Sequence, residues 1–186
     1  MRRAGDPEGA IIAVNDLMDH HGTDALPLNV RALAYDDLGL SPKALADYEA
    51  AAELDPTNPI LRGNYGVALQ DAGRFGEAVA AFRLALGMDP DLAYLYQGLA
   101  DIARRQGREE DARRELRQAE RLFKAAAERE PLSPEPWRDL AFVRSQLGDY
   151  EGAAKASELA TDALRFVNLG GSAGDVVSGT KGDRTR

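Results

Sequence analysis

Read for its apolar positions, the chain is a succession of short helical stripes. Between Pro59 and Asp71, Tyr65, Gly66 and Leu69 mark one face. Between Phe75 and Met88, Ala78, Phe82 and Ala85 recur at three- and four-residue spacing. The punctuation agrees. Asn58 can cap the first of these helices, and Pro59 fits its first turn, where a missing N–H costs nothing. Gly73 suits the left-handed residue that ends it, and Asp89-Pro90 stops the second, since a residue before proline avoids the helical region. Residues 6–20 predict a further helix with Asp6 as cap, Pro7 in the first turn and Gly22 just past the end. Its Ile11, Ile12, Val14, Leu17 and Met18 are placed to cover the first unit that follows.

The same sentence of residues is then repeated. Gly39, Gly73 and Gly107 stand 34 residues apart, and Gly148 follows after 41. Asp55-Pro56, Asp89-Pro90 and Glu130-Pro131 keep that beat. Five residues after each glycine comes Ala44, Ala78, Ala112 and Ala153, and seven later Ala51, Ala85, Ala119 and Ala160. Small Ala32, Gly66, Ala100 and Ala141 in the first helices face the first alanine set in the second helices. Small against small lets two backbones approach closely.

A helix-turn-helix of 34 residues with this pattern resembles the tetratricopeptide repeat. The resemblance covers about residues 25–166, in units 25–58, 59–92, 93–131 and 134–166, preceded by an N-terminal segment 1–24. The family's large residue early in the first helix is matched by Leu28, Tyr96 and Trp137, and Arg62 departs from it. Its mid-helix leucine is matched by Leu99 and Leu140, with Tyr65 as substitute and Arg31 as a departure. Its aromatic in the second helix is matched by Tyr48 and Phe82, while Ser157 departs. The resemblance implies an all-α, right-handed α-solenoid of four repeats with an extra N-terminal helix. Gly/Ser/Thr-rich residues 167–186 read as a disordered tail.

The third unit breaks its own beat by seven residues. No helix breaker lies between Gly107 and Pro131, and Ala112, Leu116, Ala119, Phe123 and Ala126 continue as one stripe. Two registers fit, one through Ala112, Leu116 and Ala119, the other through Ala119, Phe123 and Ala126. Seven residues are close to two turns and return to nearly the same face. The insertion is therefore expected to lengthen one helix, about 109–129. Residues 104–124 carry eight basic side chains against five acidic ones. They read either as a solvated face laced with ion pairs or as a docking patch for an acidic segment.

Composition removes whole classes of function. The 186 residues contain no cysteine, so disulfides, thiolate metal sites and cysteine nucleophiles are excluded. A net charge of -8 and a pI near 4.9 argue against nucleic acid as a partner. No apolar run approaches a membrane span, and Ala10 to Val14 is too short for a signal-peptide core, which leaves a soluble, cytoplasmic protein with no membrane partner as the expectation. His20 and His21 are adjacent at a helix end and point about 100° apart, so they cannot share one metal. No nucleophile–base pair or phosphate loop stands out, so no catalytic residue, metal or cofactor is expected.

What remains is surface. The resemblance implies a concave groove, lined by the first helix of each unit, that binds a peptide or protein partner. Its slots here are Asn29, Leu33 and Asp36, then Asn64, Val67 and Gln70, then Tyr94, Gln97, Asp101, Arg104 and Arg105, then Arg138 and Phe142. The early end is acidic, the middle apolar and the third unit basic. Chaperone-binding members of the family hold a C-terminal carboxylate in a clamp of two basic residues and asparagines. In the matching slots Asn29, Leu33, Asn64, Tyr94 and Gly98, only Asn64 agrees, so that specialisation is not expected. The leading expectation is a non-catalytic interaction module. Its alternatives are a self-associating protein, such as a homodimer through Leu159, Leu164, Phe166, Val167 and Leu169 of the last repeat, and an accessory segment working with a separate enzyme.

Overall fold

A computed structural model describes residues 6–168. Among these residues every regular element is a helix: α1 Pro7–His21, α2 Ala25–Asp37, α3 Ser41–Leu54, α4 Pro59–Asp71, α5 Phe75–Met88, α6 Ala93–Arg105, α7 Glu109–Arg129, α8 Pro134–Leu147 and α9 Tyr150–Asn168. The fold is an all-α repeat of helix pairs. Helix α9 takes in residues 167 and 168, which the sequence reading places in the tail, because nothing before Gly170-Gly171 stops a helix. The rest of that tail lies outside the described residues. No described helix is long and apolar enough to cross a membrane.

The turn between paired helices is built four times in the same way. Gly39, Gly73, Gly107 and Gly148 all have positive φ, from 72° to 85°. After each, the next N–H reaches back to a carbonyl five residues earlier: Leu40 to Tyr35, Arg74 to Leu69, Arg108 to Ala103 and Asp149 to Arg144, at 2.8–3.0 Å. This closes the otherwise orphaned carbonyls of the helix end. Helix starts are capped as the side chains dictate. Asp6 accepts from the Gly9 N–H at 2.9 Å, and Asn58 from those of Ile60 and Leu61.

The chain divides into two compact units, Met1–Arg108 and Glu109–Arg186. In the first, each helix from α1 to α5 packs on its successor, and α4 also meets α6. The core gathers Leu69, Ala78, Phe82, Ala85, Leu95, Leu99 and Ile102. Phe82 is fully buried between two glycines. A methyl group on Gly66 would lie 2.6 Å from the ring, and one on Gly98 2.8 Å from it. The ring fills space that two missing side chains leave, and deleting such a group typically costs about 3–5 kcal/mol.

Arg31, in a slot where the repeat pattern asks for leucine, is held by partners from two other helices. Its Nε and Nη2 donate to Asp47 of α3 at 2.7 and 2.8 Å, and Nη1 donates to Asn15 of α1 at 2.7 Å. The Asp47 carboxylate is buried, and this pairing holds the Arg31 guanidinium above its already high pKa. Met18 of α1 packs on the cluster of Ala25, Leu28, Ala51 and Leu61.

In the second unit, α7 packs on α8 and α8 on α9. Helix α7 is continuous over 21 residues, against 14 for α3 and α5. Its first turn is acidic and its last carries Arg129, the order a helix dipole favours. Ala112, Leu116 and Ala119 are fully buried, and Phe123 packs against Leu140, Ala141 and Ala156. The first register is thus buried throughout, whereas in the second Phe123 and Ala126 are only half-buried and the stripe ends on fully buried Ala127. Trp137 Nε1 donates to the Pro131 carbonyl at 3.0 Å, as the Tyr96 hydroxyl does to Pro90 at 3.2 Å. Arg144 ties the unit together through Glu120 of α7 at 2.9 Å and the Gly152 carbonyl of α9 at 3.3 Å.

Candidate functional site

The groove positions of the first unit follow from helical spacing. Asn29, Leu33 and Asp36 recur along one face of α2, Asn64 and Val67 along α4, and Tyr94, Gln97 and Asp101 along α6. A cavity of about 430 Å³ brings Leu33, Asp36, Asn64, Val67 and Tyr94 together with Ser41, Tyr48 and Asp71. Leu33 and Val67 keep 48% and 38% of their surface in solvent, which leaves an apolar wall available. Ser41 and Tyr48 come from α3. Mapping the groove from first helices alone misses them, although Tyr48 was already marked by its aromatic slot.

Side chains of this face bridge neighbouring first helices. Asn64 Nδ2 donates to Asn29 Oδ1 at 2.9 Å, joining α4 to α2. Gln70 Nε2 donates to Asp101 Oδ2 at 3.0 Å, joining α4 to α6, and Arg105 Nε donates to the same oxygen at 2.9 Å. An amide that spends one donor this way keeps a second N–H and its carbonyl. Asp36 accepts the Tyr48 hydroxyl at 3.0 Å. No cation lines the cavity, so Asp36 and Asp71 give it a negative character.

Tyr94 is the odd member. Its hydroxyl is buried and has no hydrogen-bond partner. A methyl group on Gly63 would stand 2.6 Å from that oxygen, so glycine makes the room the phenol occupies. Burial, with the nearby Asp89 charge second, pushes the Tyr94 pKa above the usual phenol range and keeps the group a neutral donor.

The remaining expected positions are placed differently. Arg104 and Arg105 end α6. Arg105 is already paired with Asp101 and lies 5.9 Å from the Phe75 ring centre. Arg138 and Phe142 belong to α8 of the second unit, where Phe142 is 56% exposed. Along the basic segment, Arg113 pairs with Glu109 at 3.6 Å and Arg114 with Asp111 at 2.9 Å, which favours the laced, solvated face. His20 sits on the Asp16 carbonyl at 2.7 Å, at the end of α1. Among the described residues no group of three or more His, Asp or Glu side chains could hold a metal.

Tetratricopeptide-repeat models match residues 29–93 and 69–119. A tetratricopeptide repeat-containing thioredoxin of Arabidopsis thaliana, TTL4, is 43% identical over 74 residues, 40% of this chain and 11% of that protein. The small glutamine-rich tetratricopeptide repeat-containing protein 2 of Mycosarcoma maydis is 30% identical over 97 residues, 52% of this chain and 28% of that one. The chain thus spans a minor part of the relatives it matches. Among solved structures, a chain of the APC/C hetero-tetramer Cut9-Hcn1 superposes with a TM-score of 0.66 at 17% identity, over 87% of this chain and 30% of that one. MamA superposes with a TM-score of 0.57 at 18% identity, over 90% and 94%. At these identities the structural likeness is one of fold.

Proposed function

Because this chain is a tetratricopeptide-repeat protein, we propose that it acts as a non-catalytic protein–protein interaction module whose first unit takes an extended peptide in its groove. One observation carries the reading: exposed Leu33 and Val67, the amide of Asn64, and the carboxylates Asp36 and Asp71 line a single cavity without a cation. Such a surface suits a segment that alternates aliphatic and basic side chains. The aliphatic groups lose water against Leu33, Val67 and Tyr94, the spare amide groups bond the peptide backbone, and the two carboxylates favour lysine or arginine. Selection from a random peptide library tests it. Winners are expected to carry lysine or arginine next to leucine, isoleucine or valine. The D36N/D71N pair is expected to weaken them about five- to tenfold at low salt, the scale of exposed charge pairs. Enrichment of acidic peptides, or affinity that ignores both D36N/D71N and Val67→Asp, contradicts the reading.

A second reading, self-association through the last helix, is supported by the exposure of Leu159, Leu164 and Val167 on α9, at 36%, 48% and 52%. Light scattering separates it: a monomer mass constant with concentration removes it.

A further inference from the structure

The second unit holds a cavity of its own, of about 280 Å³, between α7, α8 and α9. Its floor is apolar, formed by Trp137, Leu140, Ala156 and Leu159. Its rim is cationic, with Lys124, Arg144 and Lys155 against the single carboxylate of Glu128. The charge is therefore opposite to that of the first unit's cavity, where Asp36 and Asp71 stand without a cation, on a chain whose net charge is -8.

The lengthened helix makes this cavity. A 14-residue helix starting at Glu109, like α3 and α5, would end at residue 122 and supply neither Lys124 nor Glu128. The three cations differ in how firmly they are held. Arg144 is fixed by Glu120, Asp149 and the Gly152 carbonyl. Lys124 meets Glu128 at 3.8 Å, with both side chains more than half exposed, a pairing weak enough to exchange. Lys155 is exposed and has no ion pair among the described residues. The indole N–H of Trp137 is spent on the Pro131 carbonyl, so its ring needs nothing polar from a ligand.

We propose that this cavity is a second, independent docking site, for a peptide segment in which an aliphatic side chain is flanked by acidic ones. The aliphatic group enters between Trp137, Leu140 and Leu159. The flanking carboxylates take Lys155 and draw Lys124 from Glu128, with Arg144 as a fixed positive wall. The site discriminates by local charge against the acidic remainder of the surface.

Trp137 is the one tryptophan of the chain, so its emission reports on this cavity directly. The probe is a short capped peptide of alternating aspartate and leucine, titrated into the full chain. A saturable change in emission is expected, lost with an aspartate–serine peptide and with a lysine–leucine peptide. The double variant Lys124→Glu, Lys155→Glu is expected to bind about tenfold more weakly or worse while keeping the helical circular dichroism of the parent, since both side chains are exposed. No emission change with the aspartate–leucine peptide overturns the proposal, as does an equal response to the lysine–leucine peptide or an unweakened double variant. Emission that shifts with protein concentration alone assigns the cavity to a second copy of the chain, and also overturns it.

Discussion

Within the groove, the least comfortable group is a phenol with nothing to donate to. The buried Tyr94 hydroxyl forgoes its bond to water without replacing it, a deficit worth about 1–3 kcal/mol. Tyr94→Phe is therefore expected to raise the urea midpoint, by about 1–2 kcal/mol of stability, where a truncation of a bonded tyrosine would lower it. A lower midpoint would mean that the hydroxyl is satisfied. Around Phe82 the sign is reversed. Gly66→Ala and Gly98→Ala force a methyl group inside 3 Å of a fully buried ring, and such overpacking costs about 1–3 kcal/mol. Gly87→Ala, in open space on α5, is expected to stabilise by up to about 1 kcal/mol. Thermal melts of the three variants check both directions. Gly66 could be read from the sequence because the repeat places a small residue there in each unit. The need for Gly63 and Gly98 could not, since it depends on where the Tyr94 hydroxyl and the Phe82 ring end up.

Helices and their turns were the most readable level. The glycine, proline and alanine beat marks each pairing, and four identical turn closures answer it. Arg31 shows where such reading fails. Against the repeat pattern it is only a mismatch, because its compensation is spread over Asn15 and Asp47, each 16 residues away on another helix. The pair predicts a specific coupling. Arg31→Leu alone leaves Asp47, 8% exposed, without its guanidinium, and is expected to cost about 3 kcal/mol. Adding Asp47→Ala is expected to recover most of that loss, a coupling that a double-mutant cycle in urea measures directly. Additive losses would show that the bond contributes little. The insertion in α7 was readable as a lengthened stripe because seven residues preserve the face. The cavity that its last turns help to build was not, because Lys124, Trp137 and Lys155 meet only once α8 and α9 fold back.

For the molecule as a whole, net charge proved a poor guide to surface chemistry. An overall -8 conceals a cavity lined by two carboxylates and no cation in one unit and a cavity with three cations in the other. The division into units was equally hidden, since the sequence repeat runs through it: α6 and α7, one pair by spacing, fall on opposite sides. The central claim is that the first unit receives a peptide in its groove, and side-chain amides make that claim visible. Asn29, Asn64, Gln70 and Gln97 each carry an NH₂ group on the face in question, and none of them touches the second unit's cavity. In a nitrogen-resolved NMR titration with a selected basic-aliphatic peptide, these four NH₂ pairs are expected to move together and saturate with the binding isotherm, the Trp137 indole N–H remaining still. Binding that leaves the four unmoved, or that moves the Trp137 signal instead, would contradict the account.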